Sequence, residues 1–167
     1  MIEFGIHAQE EIGKVRLRKA RVKDVPLIYE MLADLGQQGL LLPRSLSELY
    51  DFIRDFYVAY PNGESGALAG TCALHVCWAD LGEIRSLAVN SWFQGQNLGR
   101  ELIEACIEEA RELGLKRLFA LTYIPEYFMK FGFELIEKSE LPQKIWADCF
   151  KCVKFPECDE VALARNI

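Results

Sequence analysis

The segment Gln94-Gly-Gln-Asn-Leu-Gly-Arg100 contains residue types that suit it to binding a phosphate group. Glycines let backbone N–H groups come close to a ligand, and a helix that begins after such a loop offers unpaired N–H donors and a partial positive charge. The spacing matches neither G-x-G-x-x-G nor G-x-x-x-x-G-K-[ST], so it indicates neither common nucleotide fingerprint. We therefore predict a pyrophosphate-binding loop, with an ordinary tight turn as the alternative.

Two charged residues, Glu83 and Arg85, lie in a mostly apolar segment that ends at Val89. Side chains two residues apart on a β-strand point to the same face of the sheet. The pair could be an ion pair that merely solvates a strand edge. In a central strand, however, buried charges tend to mark functional sites, and we predict a functional role for both residues.

The C-terminal segment carries Cys149, Cys152 and Cys158 in a Cys-x2-Cys-x5-Cys pattern. Such spacing is typical of a structural zinc site or a redox pair, but a closed zinc site needs four ligands. His75, Asp159 or a second subunit could supply the fourth, so a homodimer is one arrangement that the pattern allows. The alternative is a set of reduced cysteines in an amphipathic tail, and the sequence leaves the question of a metal open.

The remaining cysteines, Cys72, Cys77 and Cys106, fall inside predicted strands and a helix, where we expect buried apolar packing. The chain has only two histidines, and this count excludes a zinc site built from three of them.

Periodicity divides the chain into the strands and helices that must position these residues. A capping box at Ser45 and Glu48 predicts the start of a short helix, and an N-cap is predicted at Asp24. Gly36 and Gly114 are predicted to end the helices that precede them. The predicted strands are 15–20, 56–60, 67–78, 83–89, 116–122 and 133–136. A helix between the fourth and fifth strands predicts a parallel crossover inside an otherwise antiparallel sheet.

Composition narrows the classes of function. Hydrophobic residues make up 51% of the 167-residue chain and charged residues 26%, which is typical of one globular domain. The net charge of −6 argues against nucleic acid or an anionic membrane surface as a partner. No apolar stretch approaches the length of a membrane helix, and the acidic start does not resemble a signal peptide, so we expect a cytoplasmic protein.

The sequence contains no repeat and no Gly/Ser-rich linker. We predict an N-terminal extension over 1–14, one domain over 15–141, and a cysteine-containing extension over 142–167 that packs on the same domain.

The strand Glu83–Val89 with the loop that follows it resembles motif A of the GNAT acetyltransferases, written Q/R-x-x-G-x-G/A. In that family the loop binds the pyrophosphate of acetyl-CoA. Gln94 and Gly99 match the motif, and Asn97 stands at its first glycine. Asparagine tolerates left-handed backbone geometry better than other non-glycine residues, so we expect the loop to form.

The segment 121–133 resembles motif B and ends in the family's Gly-Phe pair. Phe128 stands where motif B often carries a tyrosine that serves as general acid, which puts a tyrosine acid in doubt. A thiolate is a good leaving group, and water could protonate it. The resemblance implies the α/β GNAT acyl-CoA N-acyltransferase fold, with a mixed, mostly antiparallel sheet flanked by helices, and acetyl-CoA as co-substrate.

Four segments resemble more narrowly the acetyltransferase domain of bacterial N-acetylglutamate synthases: residues 39–45, 82–89, 119–122 and 141–142. The likeness runs from about Val15 to Pro142 and includes the phenylalanine in motif B. It implies acetylation of the α-amine of an amino acid, L-glutamate, in the first step of arginine biosynthesis. The length leaves no room for the kinase-like domain of the long synthases, so the resemblance is to a short, stand-alone form.

The resemblance also implies roles for single residues. Glu83 aligns with the glutamate that acts as general base in histone-acetylating members of the family. Arginine suits bidentate binding of the two glutamate carboxylates, and the residues proposed for this are Arg44 first, Arg85 second, and then Lys144. The implied cofactor-binding set is the backbone of Leu87, Ala88 and Val89, the loop residues Gln94, Gly95, Gln96, Asn97, Leu98, Gly99 and Arg100, and Phe128.

Two other functions fit the same residues. One is acetylation of a different amine, such as another amino acid or a protein N-terminus. The other is a CoA-binding regulatory module in which Asn97 and Phe128 mark lost catalysis.

Overall fold

The structure is a computed structural model that describes residues 14–62, 66–143, 145–146 and 159–167. The predicted positions Lys144, Cys149, Cys152 and Cys158 lie outside the described residues, so the predictions made for them remain predictions.

Seven strands form one sheet in the order β1-β2-β3-β4-β5-β7-β6. Neighbouring strands are antiparallel except β4 and β5, which are parallel and joined through a helix. This confirms the predicted α/β class and the mixed, mostly antiparallel sheet. The strands are β1 (Val15–Lys19), β2 (Phe56–Pro61), β3 (Gly70–Val76), β4 (Leu81–Val89), β5 (Arg117–Thr122), β6 (Glu134–Leu135) and β7 (Val161–Asn166).

Helices cover both faces of the sheet. On one face, α1 (Val25–Gln37) and α2 (Leu46–Asp51) pack over β2 and the middle of the sheet. On the other, α3 (Leu98–Glu112) packs over β3 and β4, and α4 (Pro125–Met129) packs against β7. Cys72, Cys77 and Cys106 are buried, as predicted. Among the described residues, no helix has the length and apolar character needed to cross a membrane.

Helix α1 ends three residues later than the sequence predicts. Gly36 lies inside the helix, beside Pro43, and the left-handed residue is Gly39, with φ of 71°. The amide of Gly39 donates to the Gly36 carbonyl and that of Leu40 to the Leu35 carbonyl, which is a Schellman motif. The predicted end at Gly114 is confirmed, since Gly114 has φ of 84° after α3.

Asp24 precedes α1 as predicted, but its side chain does not cap the helix. Its buried carboxylate accepts hydrogen bonds from the Arg18 guanidinium at 2.7 and 3.0 Å, the Tyr60 hydroxyl at 2.8 Å and the Arg21 amide at 2.7 Å. Burial alone would raise the pKa of Asp24, but these hydrogen bonds outweigh it and lower the pKa below the ordinary carboxyl value. The carboxylate therefore ties β1, α1 and β2 together.

Strand β7 was not predicted from the sequence. It lies between β5 and β6 and pairs with β5 over six residues, from Val161 opposite Thr122 to Asn166 opposite Arg117. Leu163 is fully buried against the α3 face, while Ala162 and Ala164 belong to a cluster on the opposite face. The last strand of the sheet is thus an interior strand.

Candidate active site

Strand β4 separates from β5 at the point where the charged residues lie. Pairing between the two strands ends at Glu83 opposite Phe119. Beyond it, one β3 residue faces both Ser86 and Leu87 of β4, and Ser86 has a left-handed φ of 56°. Such a bulge bends its strand. Residues 84–89 therefore lie beside a gap, called here the β4–β5 opening, where the backbone of β4 is not paired with β5.

The three residues predicted to offer backbone contacts, Leu87, Ala88 and Val89, all lie along the β4–β5 opening. Ala88 is buried against the α1 and α2 face, and the side chains of Leu87 and Val89 pack on the opposite core. Their side chains are thus used for packing. The backbone is the part of these residues that a ligand in the opening could contact.

The predicted pyrophosphate loop leads from β4 into α3. Asn97 has φ of 61° and ψ of 13°, so it adopts the left-handed geometry that the sequence predicts at this position. It precedes α3 without a side-chain cap, so the first-turn amides of that helix have no side-chain acceptor from it. Residues 94–97 are exposed, and the Gln94 side chain donates to the Val89 carbonyl at 3.4 Å.

The first turn of α3 contacts α4. Leu98 and Gly99 are buried, and a Cβ added to Gly99 would overlap the Tyr127 hydroxyl. Arg100 is exposed and stacks over the Phe131 ring at 5.2 Å. Glycine at position 99 therefore leaves room for the close approach of the Tyr127 hydroxyl.

Phe128 is a core residue. It is 4% exposed and lies edge-on to Phe133 at 5.6 Å between ring centroids. The preceding residue, Tyr127, carries a hydroxyl, and burial raises the pKa of that hydroxyl. The helix α4 thus presents phenylalanine to the core and tyrosine to the start of α3.

Glu83 and Arg85 lie on one face, as predicted. Arg85 Nη1 lies 3.6 Å from Glu83 Oε2, and the Arg85 side chain is 7% exposed. Its other terminal nitrogen, Nη2, lies 4.0 Å from Asp55 Oδ2, at the end of the 3₁₀ turn after α2. Arg85 therefore bridges two carboxylates.

A fourth residue completes this group, since His75 Nδ1 lies 2.6 Å from Asp55 Oδ2. His75 is directly opposite Glu83 in the β3–β4 register. The Phe52 ring packs edge-on to the imidazole at 5.0 Å and under the Arg85 guanidinium at 5.3 Å. We call Asp55, His75, Glu83 and Arg85 the charged cluster.

Sequence reasoning did not find Asp55 as a site residue and considered His75 only as a metal ligand. A signal for His75 was present: with Thr71 it is one of two polar residues in the mostly apolar strand Gly70–Val76, two positions after the buried Ala73. Asp55 had no comparable signal, because the fold alone brings it to β3. Within the described ranges no group of three or more His, Cys, Asp or Glu side chains could hold a metal ion.

Arg44 lies in the segment between α1 and α2, next to the Ser45 cap. These helices cover the sheet face from which Arg85 projects, since Arg85 pairs with Ala73 of the same core cluster. Arg44 is half-buried, and among the described residues no carboxylate pairs with its guanidinium. Within the described part of the chain, Arg44 is therefore available to bind an anion, unlike Arg85.

Comparisons with known proteins agree with this geometry. Residues 28–133 match the acetyltransferase (GNAT) family. The chain is 36% identical over 151 residues to an uncharacterized N-acetyltransferase of Chlorobaculum tepidum, covering 90% of this chain and 96% of that protein. It is 37% identical over 130 residues to the amino-acid acetyltransferase of Mycobacterium tuberculosis, covering 78% of this chain and 74% of the relative.

A solved structure is similar over nearly the whole chain. It is N-acetylglutamate synthase from Neisseria gonorrhoeae, complexed with coenzyme A and N-acetyl-glutamate, with a TM-score of 0.81 and 33% identity. The match covers 92% of this chain and 35% of that one, so this chain spans about a third of the synthase.

Proposed function

The chain belongs to the GNAT family of acetyltransferases, and from this premise we propose that it transfers the acetyl group of acetyl-CoA to the α-amine of L-glutamate. Members of the family use acetyl-CoA as co-substrate, and the amino-acid acetyltransferases among the relatives support an amino acid as acceptor. We propose glutamate as the specific acceptor, and arginine biosynthesis in the cytoplasm as the pathway and compartment in which the reaction takes place.

The observation that carries the proposal is the β4–β5 opening, which begins at Glu83 and leads to the uncapped start of α3. Unpaired amides at a helix N-terminus suit the pyrophosphate, and unpaired backbone along β4 suits the pantetheine arm and the thioester carbonyl. A thioester held along residues 87–89 would lie on the same strand as Glu83, where the opening begins. The opening therefore supports both cofactor binding and reaction at one place.

Glu83 is the residue we assign to removal of a proton from the acceptor. An α-amino group is largely protonated near neutral pH and cannot attack a carbonyl until it loses that proton. The Glu83 side chain is 12% exposed on the face covered by α1 and α2. Once deprotonated, the amine attacks the thioester carbon and the CoA thiolate leaves.

The two arginines take different roles in this proposal. Arg85 is already held between Glu83 and Asp55, so we assign it to positioning these carboxylates. Arg44 has no such partner among the described residues, and we assign it to a glutamate carboxylate. Lys144 stays a prediction.

The test is free-thiol release from acetyl-CoA in the presence of a panel of L-amino acids. Turnover with glutamate, and little with aspartate, glutamine or alanine, is the expected result. Turnover confined to a different amine would overturn glutamate, and CoA binding without turnover on any amine would overturn the enzymatic proposal.

Replacing Arg44 by alanine tests the assigned carboxylate contact. A charge-assisted hydrogen bond is worth about 1.5–3 kcal/mol, so the KM for glutamate should rise about tenfold or more while that for acetyl-CoA stays unchanged. Arg16→Ala, on the exposed side of β1, is the matched control and should leave both constants unchanged. An unchanged glutamate KM for Arg44→Ala would contradict the assignment.

A further inference from the structure

We propose that His75, held by Asp55, is a proton relay that carries the acceptor's proton from Glu83 to solvent. This inference rests on the proposed function, because it concerns the same reaction. It assigns roles to two residues that the sequence did not associate with catalysis.

The contact between Asp55 and His75 determines which imidazole nitrogen can accept a proton. Asp55 Oδ2 lies 2.6 Å from His75 Nδ1, which is a short hydrogen-bond distance. A carboxylate accepts the Nδ1 proton, and this leaves the lone pair of the neutral ring on Nε2. A carboxylate that holds histidine in this tautomer makes Nε2 a proton acceptor, as in serine hydrolases.

The imidazole ring lies next to Glu83 in the sheet and is partly exposed. His75 and Glu83 are opposite each other in adjacent strands, where side chains of the same face are neighbours. The Glu83 side chain is 12% exposed and the His75 side chain 21%, so the imidazole is the more accessible of the two. Among the described residues, the charged groups grouped around it are Asp55, Glu83 and Arg85.

The proton balance of the reaction requires such a path. In each turnover the nitrogen forms a bond to the acetyl carbon, the carbon–sulfur bond breaks, and two protons leave the nitrogen. One proton ends on the sulfur of CoA and the other is released to water. A buried carboxylate that accepts the second proton must pass it on before the next cycle, and an imidazole can take up a proton on its free nitrogen and release it to water.

Arg85 keeps the two carboxylates of this path together. Asp55 and Glu83 both carry negative charge on one face, and the guanidinium between them lies 4.0 Å from one and 3.6 Å from the other. Like charges at close range repel, and the bridging cation offsets this repulsion. Arg85 is thus a positioning residue for the relay.

The first test needs no acceptor substrate. Nitrogen-15 NMR of the imidazole reports which nitrogen carries the proton, and the chain has only two histidines, so a His7→Asn variant isolates the signal of His75. We expect the Nδ1–H form in the wild-type protein and a shift toward Nε2–H in Asp55→Asn. An Nε2–H form in the wild type would overturn the relay, whatever the acceptor.

The second test is kinetic and uses the amine that the wild-type enzyme accepts. In His75→Ala and Asp55→Asn we expect kcat to fall about tenfold or more, with Glu83→Gln as the reference for loss of the base. The KM for acetyl-CoA should not change. Added imidazole should restore His75→Ala but not Glu83→Gln. Asp51→Asn, an exposed carboxylate four residues before Asp55, is the matched control and should behave as wild type.

The outcomes separate this inference from the proposed function. Glutamate turnover with an unchanged kcat in His75→Ala overturns the relay alone, and so does a loss that imidazole does not restore. Turnover of a different amine that depends on His75 and is restored by imidazole supports the relay and overturns glutamate. Melting temperatures of the variants establish that each loss of kcat belongs to a folded protein.

Discussion

At the residue scale, the contact between Gly99 and Tyr127 links the predicted pyrophosphate loop to α4. The Tyr127 hydroxyl occupies the space that a Cβ at position 99 would need, and its Cζ would lie 3.3 Å from that Cβ. Alanine favours a helix over glycine by about 1 kcal/mol, but overlap in a packed interior costs about 1–3 kcal/mol. Gly99→Ala should therefore destabilise the protein although it improves the helix.

A double-mutant cycle tests this contact. We expect Gly99→Ala to lower the free energy of unfolding in the wild type and to be neutral or stabilising in Tyr127→Phe, which lacks the hydroxyl. Urea denaturation of the four proteins measures the coupling, and Tyr127→Phe alone is the control. An equal cost of Gly99→Ala in both backgrounds would show that the hydroxyl does not set the approach of α3 to α4.

At the element scale, the Asp24 carboxylate joins three elements, since it accepts hydrogen bonds from Arg18 of β1 and Tyr60 of β2 and lies at the start of α1. Removing one partner of a buried ion pair costs about 3–5 kcal/mol, because the other charge stays buried. We expect a loss of this size for Asp24→Asn. Asp34→Asn, on the exposed side of the same helix, should change stability by less than about 0.5 kcal/mol.

The stability difference between the wild type and Asp24→Asn should depend on pH in a definite direction. The pKa of Asp24 is lowered in the folded state, so its contribution is fully present above the ordinary carboxyl pKa and is lost as the pH falls through the lowered value. The stability gap between wild type and Asp24→Asn should therefore narrow on acidification. Equilibrium unfolding at neutral and acidic pH measures it, and a constant gap would contradict the ionised state of Asp24.

Many helices and strands could be predicted from the sequence, because helix caps and hydrophobic periodicity depend on residues that are close together in the chain. The capping box at Ser45 is confirmed, with the Glu48 amide donating to Ser45 Oγ at 3.2 Å. Either Gly36 or Gly39 could end α1. The sequence pattern does not reveal that Gly36 stays helical beside Pro43 while Gly39 adopts the left-handed conformation. That choice depends on packing.

The missed features depend on distant parts of the chain. The charged cluster forms because the turn after α2 meets β3, and this contact has no local signature. Strand β7 is covered on both faces, so its apolar residues do not alternate with polar ones. Its pairing with β5, from Thr122 opposite Val161 to Arg117 opposite Asn166, is visible only in the fold.

At the scale of the whole molecule, the C-terminal strand closes the half of the sheet that carries α4. Leu163 is fully buried in the same core as Leu102 and Phe133, whereas Leu135, directly opposite it on β6, is 57% exposed. The same Leu→Ala substitution can therefore be compared at two neighbouring positions, one buried and one exposed. Loss of a buried leucine side chain removes its transfer free energy and leaves a cavity.

Leu163→Ala should therefore cost about 2–5 kcal/mol and Leu135→Ala less than about 1 kcal/mol. Because a single domain is typically stable by only about 5–15 kcal/mol, Leu163→Ala should also lower the melting temperature visibly. A chain that ends at residue 160 would expose the whole edge of β5 and should not fold cooperatively. Equal costs for the two leucines would contradict the burial of Leu163. Cooperative unfolding of the shortened chain would show that the sheet is stable without β7.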